Sequence, residues 1–467
     1  MSPFSCVGIV FCLKNGDCGD IIDELKIEVP KWLVKFAEAN EEPLYLVGGY
    51  VRNAVCGLPP SDIDVAGRLL PRKLKLPRGF FFATTYKRTG TALIKHRYIK
   101  TAEIEYTPFR TEEYAPGGGH TPAAVNFDAP IEEDAARRDF TVNSIYYDIK
   151  NDRMIDFFGG LEDIKRRLIR AYDPEKIFAS DGLRMLRLVR IAAETGFGID
   201  PATAATAKSC AGLLADVSPN RKADELMKIL LADTKYGIAD AHYRALTLLR
   251  DYGFLGYVIP ELTELDGLVQ PAAYHKYDAL EHTFRVVQAA PPHIRLAALL
   301  HDVGKAEAIR RAGNMHNHDV VGAEMAARIL GQEGLRFPNR EIDRVVRLTR
   351  WHMYDKSRNT RDRKMLLFVA GNADIIDDLS ALMDADSIGK GLSDTPAPNR
   401  IKEFYARLKA SGAPKSPSAL RINGADLAAL GYESAAIGKK LNELYGECVM
   451  DPSLNNRKIL MKLARKE

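Results

Sequence analysis

The chain has 467 residues, is 46% hydrophobic and 27% charged, and carries a formal net charge of +4. That length suits about three domains of roughly 150 residues, and the mildly basic balance suits a phosphate-rich partner without establishing one. Six cysteines, none in a Cys-x-x-Cys pair, argue against a structural zinc site and fit the reduced thiols of a cytoplasmic protein.

The first twenty residues read as a leader expected to be disordered. Its apolar stretch "FSCVGIVFCL" lacks a basic start and a cleavage site, and it is far below the ~18 residues that span a membrane. Cys6, Cys12 and Cys18 are evenly spaced there by chance. Nothing else approaches a membrane span, so the expected compartment is the cytoplasm. Residues Ile21 to Ala39 predict an amphipathic helix. "PLYLVGGY" reads as strand and turn, and "SDIDVAG", "FFFATTY", "GTALIKH" and "TAEIEYTPF" as strands. "FTVNSIYYDI" and "RMIDFFGG" add a strand pair, which closes a mixed α+β region over residues 21–158. Beyond it the chain reads all-α, in three pieces: 159–258, 259–400 and 401–467. The stretch "DPEKIFASDGLRMLRLVRIAAETGF" predicts one long helix opened by Asp-Pro and closed by glycine. "SPNR", "RFPN" and the linker "SDTPAPNR" interrupt the later helices.

The densest chemistry begins at "LVGGYVRNAVCGLPPSDIDVAG". On a strand, Asp62 and Asp64 point the same way. Two adjacent carboxylates are costly without a cation between them, and carboxylates with few other protein ligands suit Mg²⁺. A third carboxylate would complete a two-metal site, and "TAEIEYTPFR" offers Glu103 and Glu105. Gly48 and Gly49 leave backbone amides open to a triphosphate. In "EEDAARRDFTVNSIYYD", Arg137 and Arg138 could hold phosphates or base edges, and Asp139 and Asn143 ribose hydroxyls.

These motifs resemble the bacterial class II tRNA nucleotidyltransferases and their poly(A) polymerase relatives. "LVGGYVRN…SDIDV", "EYTPFR", "ARRDFTVNSI" and "SDGLRMLRLVRIAAETGF" follow the family's order over about the first 220 of the 467 residues. The resemblance implies a nucleotidyltransferase head over 21–158 and a neck over 159–258 with a base-recognition helix. It implies Asp62 and Asp64 as catalytic metal ligands, Glu105 rather than Glu103 as the third carboxylate, and Gly48, Gly49, Arg52, Arg138, Asp139 and Asn143 as nucleotide contacts. Asp181, Arg184 and Arg187, spaced by three, would share a helical face, with Arg190 one step further as another nucleotide contact. Cytosine and adenine each present an amino donor beside a ring-nitrogen acceptor, whereas a carboxylate only accepts and a guanidinium only donates. An Asp/Arg pair therefore suits C and A and opposes G and U. The implied reaction is addition of CCA to tRNA 3′ ends from CTP and ATP with Mg²⁺. Three departures bear on it: Ser180 stands where the family has Glu, Asn53 where Asp usually follows Gly-Gly-x-Val-Arg, and His120 in the loop "APGGGHTP" where a basic residue is common. The alternatives are poly(A) addition or partial addition of CC or A alone.

A second constellation surrounds "LAALLHDVGKAEAI". Adjacent His301 and Asp302 on a helix can reach one metal, and His282, His318, His352 and Asp386 supply further ligands. Imidazoles with carboxylates suit Mn²⁺, Ni²⁺, Fe²⁺ or Zn²⁺. The pattern resembles the HD-domain metal phosphohydrolases. It implies an HD body over 259–400 in which His282, His301, Asp302 and Asp386 form the core metal set. His318 and His352 match the extra histidines of two-metal versions, and Lys305 completes the "HDxGK" pattern. The implied activity is removal of terminal or cyclic phosphates from RNA ends; an idle body that only carries tRNA is the competing reading. The tail, 401–467, resembles the C-terminal piece of the fused enzymes, and Lys439, Lys440, Arg457 and Lys458 are its candidate phosphate contacts. Two other function classes compete: an HD phosphohydrolase with an inactive head, and a non-catalytic RNA-binding protein. The intact carboxylates oppose the latter.

Overall fold

The computed structural model describes residues 20–22, 27–86, 88–114, 122–356, 358–393, 395–396 and 399–465. The leader up to residue 19, with its three cysteines, and residues 115–121, with His120, lie outside the described residues. Two compact units divide at Pro260 and Glu261.

The first unit is built on a sheet of eight strands. In chain order the strands are β1 (Asp20–Ile22), β2 (Leu44–Val47), β3 (Asp64–Gly67), β4 (Phe80–Tyr86), β5 (Thr91–His96), β6 (Glu103–Pro108), β7 (Thr111–Glu113), β8 (Ala124–Asn126), β9 (Tyr146–Asp148) and β10 (Arg153–Asp156). The sheet runs β1-β10-β9-β2-β3-β6-β5-β4, while β7 and β8 form a separate ribbon. β3 and β6 are parallel, which sets Asp64 beside Glu105. β2 lies antiparallel to β3 and pairs Val47 with Asp64. The central strands supply the core: Leu44, Leu46, Val65, Ile94, Ile104 and Tyr106 are all buried.

The helix expected over residues 21–39 is confined to Lys31–Glu38. Pro30 stands at its N-cap in an extended conformation, because proline's ring cannot continue a helix and pushes the preceding residue to extended backbone. Asp20–Ile22 instead pairs with β10 as an edge strand.

The long helix expected from Asp173 onward is two helices, Pro174–Ser180 and Leu183–Thr195. Asp181 between them is extended (φ −161°, ψ 107°). Gly182 packs so closely that a Cβ would lie 2.5 Å from the Leu213 carbonyl oxygen. The break is therefore imposed by a contact over thirty residues away. Further on, Arg190 crosses from Leu183–Thr195 to the helix Pro219–Leu230, and is buried between Glu194 (2.8 Å) and Glu225 (2.5 Å).

The second unit is helical. Helices Ala279–Ala289, Arg295–Leu300, Lys305–Ala312, His318–Leu330, Asn339–Trp351 and Ile376–Gly389 surround one polar centre. The tail packs its apolar side chains into a cluster that also takes in the preceding helices. Leu420, Leu427, Leu444, Tyr445, Cys448 and Leu460 pack with Ala370 of the helix Asp362–Gly371. Two expected tail contacts are already engaged: Lys440 is buried and paired with Glu443 (3.0 Å), and Arg457 grips Asp426. Lys439 and Lys458 are exposed. No helix among the described residues is long and apolar enough to cross a membrane.

Candidate functional site

The first centre grows from the turn after β2. Gly48 takes a left-handed φ of 76°, where a side chain would be strained, and starts the helix Gly49–Cys56 with no side-chain cap. A Cβ on Gly48 would lie 2.9 Å from Asp64 Oδ2, and one on Gly49 2.8 Å from Ser61 Oγ. The two glycines thus let bare backbone approach the Asp64 carboxylate. Asp64 begins β3, whereas Asp62 lies just before the strand and is exposed. Glu105 is directly across from Asp64 and exposed; Glu103 is tied to Lys95 at 2.8 Å. Burial, then the Glu105 carboxylate, with a smaller push from Asp62, raises the Asp64 carboxyl to about 7. Arg138 and Arg187 pull the other way but do not offset this, and the set of three carboxylates fits a hard divalent cation such as Mg²⁺.

On one side of Asp64 lies a cleft of about 310 Å³ lined by Gly48, Gly49 and a set of arginines. Arg138 donates to Tyr146 Oη (2.8 Å) and Asp134 (3.1 Å), and Arg137 to the other Asp134 oxygen (2.8 Å). Burial pushes the Asp134 carboxyl up, but Arg138 and Arg137 outweigh it and hold it at about 2. Asp139 lines the cleft, yet its oxygens are taken. Oδ1 accepts from Asn143 Nδ2 (3.0 Å) and the Phe140 amide (2.9 Å), and Oδ2 accepts two bonds from Arg187 (2.9 and 2.5 Å). A free carboxylate for a ribose is therefore not what Asp139 offers; it fixes Arg187 and Asn143. Arg52 is buried behind the cleft and donates to Asn143 (2.8 Å), Asn53 (2.8 and 3.1 Å) and Tyr236 Oη (3.3 Å).

Asp181 and Arg184 both line this cleft, but Asp181 sits on the break rather than on the helix. Arg221 grips it with two bonds (3.0 and 2.6 Å). Arg184 donates to the carbonyls of Arg137 (2.8 Å) and Ile177 (3.3 Å). Ser180 turns away, its hydroxyl donating to the Ile177 carbonyl (2.8 Å). Arg190, expected here, lies outside the cleft lining, held by its two glutamates. Arg221 was not expected, and nothing in "SPNRKADE" marks it.

A separate groove of about 690 Å³ is lined by Asp62 and Glu105 together with Trp32, Tyr50 and Lys100. Trp32, tilted against Phe80 with ring centroids 6.1 Å apart, came from a helix read only as amphipathic.

The second centre is compact and buried. His301 and Asp302 lie in the turn after the helix Arg295–Leu300 rather than within it. That turn is tight: a Cβ on Gly304 would be 2.3 Å from the His318 carbonyl oxygen. His282, His301 and Asp386 form one group and Asp302, His318 and His352 a second, the ligand atoms of each within 4.8 Å of one another. Asp302 faces both. Its Oδ2 is 3.3 Å from His282 Nε2 and 3.1 Å from His301 Nε2, and its Oδ1 is 3.1 Å from His318 Nε2 and 3.6 Å from His352 Nε2. The Nδ1 atoms of His301, His318 and His352 meet the carbonyls of Ala298, Met315 and Thr349 at 2.7–2.8 Å. Such bonds fix the tautomer and turn the Nε2 lone pairs inward.

His282 Nε2 and His301 Nε2 are buried without a hydrogen-bond partner. Orphaned nitrogens beside carboxylates fit a transition metal better than a hydrogen-bond network. Lys305 reaches Asp302 (2.5 Å), and Lys356 reaches Asp386 Oδ2. Burial favours neutral acids, but His301 with Lys305, and Lys356 with His282, hold Asp302 and Asp386 well below the carboxylate range. Burial lowers His352 to about 4. Sequence reasoning did not single out Lys356 or His275, whose ring stands edge-on to His282 at 4.7 Å.

Three family models match the chain: "Poly A polymerase head domain" over residues 44–170, "Probable RNA and SrmB-binding site of polymerase A" over 196–265, and "HD domain" over 276–388. The chain is 35% identical over 321 residues to a multifunctional CCA protein of Azoarcus sp., covering 66% of this chain and 73% of that one. It is 33% identical over 366 residues to a CC-adding tRNA nucleotidyltransferase of Thermus thermophilus, covering 73% and 75%. The fold is like that of the Bacillus stearothermophilus CCA-adding enzyme crystallised with CTP, with a TM-score of 0.65 and 23% identity over 93% of this chain and 95% of that one.

Proposed function

The chain belongs to the family of multifunctional CCA proteins, and from that premise we propose that it adds CCA to tRNA 3′ ends from CTP and ATP by nucleotidyl transfer, without a nucleic-acid template. The observation that carries the reading is Asp64. It lines the arginine cleft and pairs across the sheet with Glu105, which lines the groove, and its carboxyl is raised to about 7 by burial and by Glu105 and Asp62.

In this reading Asp62, Asp64 and Glu105 would hold Mg²⁺. Mg²⁺, when bound, supplies Lewis-acid charge at the phosphate and favours the ionised 3′-hydroxyl. The nucleotide lies in the cleft, its triphosphate against the Gly48–Gly49 backbone and the helix start. Asp181 and Arg184 read the base edge. Asp181 is held by Arg221 and Arg184 by two carbonyls, so the pair is set before the base arrives. Arg187 and Asn143, fixed by Asp139, face the sugar and phosphates. The RNA 3′ end approaches through the groove, where Trp32 offers a stacking face and Lys100 a charge.

The test is incorporation of each labelled nucleotide on tRNA transcripts ending before CCA, after C and after CC. Ordered addition of C, C and A that then stops is expected. A stop after CC favours the second reading, for which two observations speak: the likeness to the CC-adding relative and the withdrawn Ser180. Addition of G or U sinks the base-reading assignment.

The second unit we read as a phosphohydrolase for phosphate esters at RNA ends. His282, His301 and Asp386, and Asp302, His318 and His352, would each hold a divalent transition metal. Hydrolysis of a 2′,3′-cyclic phosphate with Mn²⁺ or Ni²⁺ checks it. Turnover no higher than in a His301→Ala, Asp302→Ala variant rejects it.

A further inference from the structure

Next to the histidine centre lies a cavity of about 210 Å³. It is smaller than the ~300 Å³ at which pockets begin to hold drug-sized ligands, and its walls are charged. Lys356, Arg358, Lys390 and Arg400 line it, with Asp355, Asp384 and Asp386. Five of these seven charges are matched by a partner of opposite sign. Arg400 binds Asp355 (3.0 Å), Lys356 binds Asp386, and Asp384 is taken by Lys402. Lys390 and Arg358 form no ion pair among the described residues. Lys390 ends the helix Ile376–Gly389. The turn that carries Lys356 and Arg358 holds Asp355 and Arg358 at left-handed φ angles of 58° and 55°, a conformation that costs free energy for such residues.

Asp386 joins this cavity to the metal-ligand group. Its Oδ1 stands 3.3 Å from His282 Nε2, while its Oδ2 accepts from Lys356. One carboxylate therefore has the histidines on one side and the cavity's lysine on the other. A metal drawn to Asp386 would weaken its hold on Lys356 and leave that ammonium, too, without a full counter-charge. Excess positive charge in a small, partly enclosed space, one carboxylate away from a hydrolytic centre, calls for an anion.

We propose that this cavity is a phosphate subsite. It holds the flanking, non-reacting phosphate of a substrate whose reacting phosphate lies at the histidines. The substrate class is an RNA end, in which a terminal phosphate follows a phosphodiester, rather than a nucleotide with a single phosphate. The inference rests on reading the second unit as a phosphohydrolase. The chemistry is ordinary hydrolysis: a water oxygen bonds to phosphorus, one ribose P–O bond breaks, and the water's proton goes to the departing ribose oxygen. Lys356, Lys390 and Arg358 take no part in that step; they position the neighbouring phosphate.

The experiment uses the full chain with Mn²⁺ and two probes, 5′-phosphocytidine 2′,3′-cyclic phosphate and cytidine 2′,3′-cyclic phosphate. Lysine acylation is read residue by residue by mass spectrometry, which separates this cavity from the cleft of the first unit. The two-phosphate probe is expected to protect Lys356 and Lys390, and the one-phosphate probe neither. Lys390→Ala should raise KM for the two-phosphate probe about tenfold with kcat retained, the loss of one charge-assisted contact, and leave KM for the one-phosphate probe alone. Protection without any hydrolysis keeps the subsite and removes the hydrolase reading. Hydrolysis of both probes with equal kcat/KM and no protection keeps the hydrolase and overturns the subsite. Equal protection by both probes also overturns it, because the cavity would then take the reacting phosphate.

Discussion

Asp64 in the first unit and Asp302 and Asp386 in the second are all buried carboxylates near candidate metal positions, yet they are displaced in opposite directions. Burial and the neighbouring Glu105 and Asp62 raise Asp64 to about 7. Asp302 and Asp386, more deeply buried still, are held well below the carboxylate range by His301 with Lys305 and by Lys356 with His282. Burial does not decide the charge state; the company does. In the first centre the pull of Arg138 and Arg187 on Asp64 is outweighed by burial and the neighbouring acids, so a cation from outside, as the counter-ion of a triphosphate would arrive, is what the carboxylates lack. The second carries its own cations, and an incoming metal must compete with the ammonium groups of Lys305 and Lys356.

The largest effect expected from this contrast is on activity. Asp64→Asn should cut nucleotide incorporation about a thousandfold or more, since even one preorganised donor is worth that order. Cyclic phosphate hydrolysis should be unaffected. Loss of both activities together would mean that the variant reports on folding rather than on a site.

The same change in the two centres should then separate in stability. Asp302→Asn leaves Lys305 and the histidines around a neutral amide, and is expected to cost about 3 kcal/mol, as breaking a buried pair does. Asp64→Asn removes an ill-placed charge and should be neutral or stabilising at pH 8 without metal. Chemical denaturation of both variants checks this, and equal destabilisation would break the contrast.

A pH series sharpens it further. The folded-state value of Asp64 lies above its unfolded value near 3.8, so the folded state binds the proton more tightly. Its contribution to stability is present in full below pH 4 and is lost as pH rises towards 7. Without divalent ions the stability of the first unit should therefore lose this contribution across that window. The Mg²⁺-induced rise should be largest at and above pH 7. Asp134, held at about 2, stays ionised throughout and does not blur the reading. A Mg²⁺ shift that is flat from pH 5 to 8 would count against Asp64 as the ligand.

The smallest effect concerns the groove. Trp32→Ala should raise KM for tRNA about tenfold, the scale of one lost stacking contact, with KM for CTP unchanged. A rise in both would place Trp32 in structural support instead.

Much of the candidate chemistry was legible because it is local. The Gly-Gly turn, the Asp-x-Asp spacing and the His-Asp pair are written within a few residues. The strands of the sheet were legible too, from their alternation. What escaped the sequence was set by distant contacts. Asp181 leaves the helix because Gly182 packs under Leu213, which no periodicity encodes. Arg190 has the right spacing for the cleft, but Glu225 comes from another helix and claims it. Arg221, Trp32 and Lys356 reach their centres from segments with no motif of their own. Residues 21–39 looked like one amphipathic stretch; Pro30 and the pairing of Asp20–Ile22 with β10 divided it.

Arg184 is fastened to two main-chain carbonyls, those of Ile177 and Arg137. Every residue type brings a carbonyl, so neighbouring side chains can drift over generations without loosening this guanidinium. Its aim depends on the course of the backbone and on little else. In evolutionary terms, if Arg184 reads the base as proposed, that element is insulated, and the choice of nucleotide would be inherited unchanged while the walls of the cleft around it vary.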